Sequence, residues 1–431
     1  MISRAVVSSV VGLLLILPGV ANAASGPDPF RAQQWYLDAI RSPGATAARA
    51  DGVLVAVLDS GVDATHPDLR DTVRIGPDFN AGPAGVDLNG HGTNVAGIIA
   101  AAPGNGIGLE GAAPGATVLS LRVLDAQGQG NTLQAARAID AAVAAGARVI
   151  NISLSPGAQL AQTMDATDPV VPAMRRAVAA GVVIVAAAGN FTLPVCAQPL
   201  IVTGILCVGA VDREARLTGY SDFGLRVDVV APGGDDLDPI ISTAPGDRYG
   251  AMAGTSQAAP QASALAARLV AQGLTGQEVI RRIKATAHDL GAPGEDPQFG
   301  SGLIDMSAAT GVPVPAAASG APRAAPPQTR QASMTLTIPA PLPREGLLAH
   351  GLIVACQSTT AGRCRVEFRG KGVVLAHGAR RVRSGAPTNI RVRPTARGRR
   401  LIRGRQTLRV TVTAHGPRGS SATTRAVIAT P

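Results

Sequence analysis

Three short segments each bring a side chain suited to nucleophilic catalysis to the junction of two elements. Val57-Leu58-Asp59-Ser60-Gly61-Val62 ends an apolar run on a carboxylate, and Asn89-Gly90-His91-Gly92-Thr93 opens an apolar helical run through Ile98 and Ile99 with an imidazole. Gly254-Thr255-Ser256-Gln257-Ala258-Ala259-Pro260 begins an Ala-rich helical stretch with a hydroxyl. Together they suit acyl transfer: Asp59 holds the His91 tautomer, His91 removes the Ser256 proton, and Ser256 attacks a carbonyl carbon. The amides and positive dipole end of the Ser256 helix favour a developing oxyanion. Pro260 is expected near the first turn of that helix, where a missing N–H costs little. A fourth segment, Val185-Ala186-Ala187-Ala188-Gly189-Asn190, ends a buried strand on an amide that would be costly to bury idle. Beside the Ser256 amide, Asn190 could donate to the oxygen of a tetrahedral intermediate. Taken singly, Asp59 also reads as a turn residue and Ser256 as a helix cap. The set in one order carries the inference.

The elements that must position these groups follow from periodicity. Up to about Met306, β-branched runs at Val53–Leu58, Ala147–Ser153 and Val182–Ala186 alternate with Ala-rich helical stretches. That rhythm predicts an α/β fold with a parallel sheet buried on both faces, its site at the C-terminal strand ends. Of the 431 residues 46% are hydrophobic but only 2% aromatic, so the core must be built from Ala, Val, Leu and Ile.

The order Asp, His, Ser with D-S-G-V, H-G-T, A-A-G-N and G-T-S-x-A-A-P resembles the subtilase family, over roughly Asp28 to Ala308. The resemblance implies a three-layer subtilisin-like fold with a mostly parallel central sheet. It also implies a serine endopeptidase needing no cofactor for its chemistry. Two extended segments, Gly128-Gln129-Gly130 and Ser153-Leu154-Ser155, are expected to hold substrate as an added strand, with Gly189 beside them. Asp28, Asp68 and Asn105, with the loop around Asn105, resemble a structural calcium site of hard oxygen ligands. The chain departs from the family at Ser155-Pro156, where S-L-G is usual, at Asn94, where His is usual, and at Gln257 and Gln261.

Residues 1–23 read as a secretory signal peptide: Arg4, an apolar stretch, and Ala21-Asn22-Ala23. A retained anchor is the other reading. Export would make the protein secreted and extracellular, and no later stretch has the character of a spanning helix. The start Gln34-Trp35-Tyr36-Leu37 leaves little room for the inhibitory pro-segment usual in subtilases. The catalytic domain is expected over 24–311, a Pro/Ala-rich linker over 312–332, and a small all-β sandwich-like domain over 333–431. Four cysteines allow three pairings, and the local one joins Cys196 to Cys207 and Cys356 to Cys364; free thiols are the alternative. About half of the 39 Lys and Arg lie beyond Val312, against only Glu345 and Glu367. So basic a domain is expected to meet polyanions or cell-wall polymers. The remaining partners are polypeptide substrates, met by a monomer. A processing protease for one secreted partner, and an inactive binding protein of the same fold, are the competing functions.

Overall fold

The computed structural model describes residues 26–43, 47–80, 86–155, 164–199 and 201–314, the strand Ala5–Val7, and the strands and helices between 334 and 429. The rest of the signal-peptide segment, the greater part of the linker and Pro156 lie outside the described residues. The chain forms two compact units, Met1–Arg323 and Ala324–Pro431.

In the first unit the elements run β1 (Ala5–Val7), α1 (Trp35–Ala39), β2 (Leu54–Asp59), β3 (Val73–Asp78), α2 (His91–Ala100), β4 (Thr117–Arg122), β5 (Gln129–Asn131) and α3 (Thr132–Ala144). Then come β6 (Val149–Ile152), α4 (Val170–Ala179), β7 (Val183–Ala187), β8 (Leu206–Val211), β9 (Val229–Pro232), β10 (Ile240–Ala244) and β11 (Arg248–Met252). Three helices close the unit: α5 (Thr255–Ala271), α6 (Gly276–Thr286) and α7 (Met306–Thr310). Seven strands form one sheet in the order β3-β4-β2-β6-β7-β8-β9, and every pairing in it is parallel.

The apolar runs alternate in destination. Val55 and Val57 enter one core cluster with α2 and α5, whereas Ala56 and Leu58 enter the other with α3 and α4. Val183 and Val185 divide from Ile184 and Ala186 in the same way. Each fully buried branched side chain contributes about 1.5–3 kcal/mol, so both faces must stay covered. The expected three-layer α/β fold results. α5 is anchored at its far end by the buried Arg268, whose Nε donates to Ala112 O at 2.6 Å and whose Nη1 donates to Ala47 O at 2.7 Å.

The second unit contains β12 (Met334–Thr337), β13 (Leu342–Pro343), β14 (Leu352–Ser358), β15 (Gly362–Gly370), β16 (Val373–Val382) and β17 (Thr388–Pro394). α8 (Ala396–Arg403), β18 (Thr407–His415) and β19 (Ser421–Ala429) follow. Its eight strands make one sheet, antiparallel except where β13 meets β19. Alternate residues such as Cys364, Val366 and Phe368 point into a single core cluster, and β12 comes against β19. The sheet thus folds back over its own core in the manner of a sandwich. The helix α8 had no forerunner in the strand-like pattern of the sequence. Both local cysteine pairs are bridged, Cys196–Cys207 and Cys356–Cys364.

Candidate active site

Asp59 is the last residue of β2 and is fully buried. Its Oδ1 accepts from Ser60 N at 2.8 Å and lies 2.8 Å from Nδ1 of His91, the first residue of α2. The helix can approach because residue 92 is glycine: a Cβ there would fall 2.0 Å from Gly61 O. Gly90 offers no side chain to cap α2. Asp87 does this from outside, Oδ1 accepting from Gly90 N at 2.8 Å and Oδ2 from Thr93 N at 2.9 Å. Asp87 Oδ1 also receives Ser60 Oγ at 2.9 Å, tying the end of β2 to the start of α2. The sequence reading passed over Asp87. An acid three residues before a glycine at the helix cap position was the available signal.

Burial alone would lower the His91 pKa, but the charge and hydrogen bond of Asp59, with the charge of Asp87, outweigh it and the pKa is raised. With Nδ1–H directed at Asp59, Nε2 of the neutral ring is the acceptor.

Ser256 is the second residue of α5. Its hydroxyl donates to Ser153 O at 2.9 Å, and Ser153 Oγ donates to Ser256 O at 2.8 Å. The second bond explains Pro260, which lies beyond the first turn and so departs from expectation. Proline has no N–H to give Ser256 O four residues back. Ser153 supplies the missing donor. Among the described residues no hydrogen bond joins His91 to Ser256, so the resting hydroxyl must swing from Ser153 O to reach the imidazole. Such contacts often tighten only with substrate present.

Asn190 follows β7, with Gly189 at φ +115°, a conformation that favours glycine. The Asn190 Oδ1 accepts from Thr255 N at 3.0 Å and Thr255 Oγ1 at 2.9 Å. Holding the amide oxygen directs Nδ2 the other way. An added Cβ on Gly254 would lie 3.3 Å from Asn190 Nδ2, 3.7 Å from Ser256 N and 3.1 Å from Gln257 Oε1, so the two donors border one small space together with that side-chain carbonyl.

The other expected site residues fall in two places. Gly128 precedes β5 and Gly130 lies within it, while Ser153, Leu154 and Ser155 lead out of β6. Leu154 O is already engaged by Gln198 Nε2 at 3.2 Å. Asp28, Asp68 and Asn105 meet on one loop: Gly104 N and Gly106 N donate to Asp28, and Asn105 Nδ2 donates to Asp68 Oδ1 at 2.9 Å. Asp68 Oδ2 accepts from Leu109 N at 3.0 Å and Tyr249 OH at 2.9 Å. Burial raises the pKa of both carboxyls, and neither enters an ion pair among the described residues. The departures Asn94, Gln257 and Gln261 form a buried amide chain, in which Gln257 Nε2 donates to Asn94 Oδ1 at 3.2 Å and Gln261 Nε2 to Gln257 O at 3.0 Å.

Comparison with known proteins agrees with this geometry. The subtilase family model matches residues 50–302. A thermophilic serine proteinase of Bacillus sp. (strain AK1) is 41% identical over 254 residues, which cover 58% of this chain and 60% of that protein. Subtilisin Savinase of Lederbergia lenta is 37% identical over 285 residues, covering 64% of this chain and 98% of that protein. The solved structure of a protease from Pseudoalteromonas arctica superposes with a TM-score of 0.59 at 28% identity, covering 67% of this chain and 99% of that one. On its sheet order, its Asp59–His91 pair and its matched length, the chain belongs to the subtilase family of serine-type endopeptidases.

Proposed function

We propose that this chain is a secreted endopeptidase that cleaves extended polypeptide through an acyl-enzyme, with Asp59, His91 and Ser256 as its triad and Asn190 as an oxyanion donor. His91 Nε2 takes the Ser256 proton as Oγ attacks the peptide carbonyl. The oxygen, now negative, turns to Asn190 Nδ2 and Ser256 N. His91 returns the proton to the leaving amine, and water repeats the sequence to free the acid. The observation that carries this reading is the pair of donors bordering one space beside Ser256. An inactive binding protein would have no need of them. A chromogenic active ester should give a burst of product equal to the enzyme present, and steady release without a burst would count against an accumulating acyl-enzyme. Every group of this site comes from the first unit, which supports action as a monomer.

Activity should rise with pH as His91 loses its proton. Because Asp59 raises the His91 pKa, the midpoint of kcat/KM is expected above the ordinary histidine value of about 6.5. A pH optimum below about 5 would remove His91 as the base.

Substrate is read as an added strand on β5. The support is that Ala5–Val7 already pairs antiparallel there, Val6 opposite Gly130, so this edge accepts an extended backbone. Gly128, Gly130 and Gly189 would line this path with Ser153, Leu154 and Ser155. Export rests on the signal-like start, and no helix among the described residues is long and apolar enough to cross a membrane.

A structural calcium suits the charge of Asp28 and Asp68, two desolvated carboxylates that enter no ion pair among the described residues. Asn105 presents its nitrogen to Asp68 and its oxygen to Ile107 N at 2.9 Å, so it would have to turn over to become a ligand. If calcium binds, chelator lowers the melting temperature and added Ca²⁺ restores it. Identical melting curves would leave the hydrogen-bonded carboxylates as the complete structure.

For the second unit, contact with polyanions such as cell-wall polymers is supported by exposed Arg363 and Arg381 standing opposite each other in register on β15 and β16. Like charges so placed repel, and an anion between them would relieve this. Arg397, Arg399, Arg400 and Arg403 on α8 are exposed as well. The isolated 324–431 segment should be retained on a polyanion column and released by moderate salt. Flow-through at low salt would make the charge incidental.

A further inference from the structure

Asp222 is buried, and the proposed chemistry leaves it unused. It lies between β8 and β9, and its own N–H donates to Gly189 O at 2.9 Å. Its Oδ1 accepts from Phe191 N at 2.9 Å and from Leu193 N at 2.8 Å. These three bonds from one residue bracket the segment that carries Asn190. Flanking bonds extend the clamp: Thr192 N donates to Tyr220 O at 3.0 Å and Phe223 N to Leu193 O at 2.8 Å. The second carboxylate oxygen, Oδ2, is buried and has no hydrogen-bond partner among the described residues. A Cβ on Gly189 would come within 2.2 Å of it, so the carboxylate rests against the glycine just before Asn190.

Burial pushes the Asp222 carboxyl up to about 6, against the opposing pull of the Leu193 and Phe191 N–H groups. Among the described residues no ion pair balances it. The segment 189–197 holds no titratable side chain, its one cysteine being disulfide-bonded. On its own side, Tyr220 OH donates to Gly234 O at 2.7 Å, Arg226 to Val202 O, and Asp228 pairs with Lys284 at 3.2 Å. At neutral pH a lone charge is therefore kept inside the protein, where an amide would cost less. What the charge supplies is strength, because a carboxylate oxygen accepts N–H bonds about twice as strongly as a neutral one.

We infer that Asp222 is a positioning residue for the oxyanion hole: its Oδ1 draws the Phe191 and Leu193 N–H groups to one point and thereby fixes the Asn190 amide against Ser256 N. The inference rests on the oxyanion role proposed for Asn190. Losing the negative charge loosens the segment and slows the step in which the oxyanion forms, while substrate binding along β5 is untouched.

The test is Asp222→Asn, made alone and together with Asn190→Ala, with kcat, KM and pH profiles measured for all four proteins. Alone, Asp222→Asn should lower kcat by roughly 10-fold at pH 8, because small misplacements of a catalytic group are costly. KM should stay within about two-fold, since the lost interaction belongs to the transition state. In the Asn190→Ala background the same change should have no further effect on kcat, since the donor it positions is gone. The wild-type acid limb should steepen toward two protons below about pH 6, and Asp222→Asn should return it to one. Full additivity of the two substitutions, or an unchanged kcat and slope, would overturn the inference and leave Asp222 a packing residue. If Asn190→Ala alone leaves kcat unchanged, the oxyanion reading fails first and this inference with it. Should Asp222→Asn not fold, the wild-type profile decides, and a one-proton limb down to pH 5 rejects the proposal.

Discussion

Ser256→Ala leaves a folded protein that forms no acyl-enzyme and whose kcat falls by about 10⁶-fold, a magnitude taken over from subtilisin rather than obtained from this chain. The loss is large because the nucleophile itself is removed, while the remaining machinery retains only its binding and oxyanion stabilisation. Stability should change little. The substitution gives up the Ser256 Oγ bond to Ser153 O, at a cost of about 1 kcal/mol, and keeps the Ser153 Oγ bond to Ser256 O that makes good the missing Pro260 N–H. Melting curves of the two proteins should therefore lie close together. Retention of burst kinetics would take Ser256 out of the mechanism.

The second large effect is expected at Asn190. Asn190→Ala should lower kcat by about 10²–10³-fold with KM nearly unchanged, again a subtilisin value. The donor matters only once the carbonyl oxygen becomes an anion, so ground-state binding is spared. The substitution also strips Thr255 N and Oγ1 of their shared acceptor. A control is then needed for the start of α5, and Thr255→Val supplies it by removing the hydroxyl while keeping Asn190. An Asn190→Ala protein with full kcat, or with a KM raised in proportion, would make the amide a structural brace.

Much of this was legible in the sequence, for reasons that differ by residue. The alternation of Val55 and Val57 against Ala56 and Leu58 is local, and it announced a strand covered on both sides. Asp59, His91 and Ser256 sit beside elements that their own neighbours define, so their motifs could be read. Asn190 was found because a lone amide after an apolar strand needs a use. Relations between distant segments were not legible. The exchange of hydrogen bonds between Ser153 and Ser256 joins residues 103 positions apart, and it moved the explanation of Pro260 from helix position to a side-chain donor. Asp222 carries no such signal in the chain; only the fold shows which backbone N–H groups it gathers. In the second unit the alternating strands were plain, but α8 was not, because its arginines gave no apolar period.

The role proposed for Ser256 is that of a nucleophile activated within this site. The most direct test is reaction of the purified protein with a fluorophosphonate, followed by mass spectrometry of the digested adduct. One phosphonyl group per chain is expected, on the peptide containing Ser256, with labelling abolished by Ser256→Ala and sharply slowed by His91→Ala. An unlabelled active protein, or a label on another residue that persists in Ser256→Ala, would contradict it.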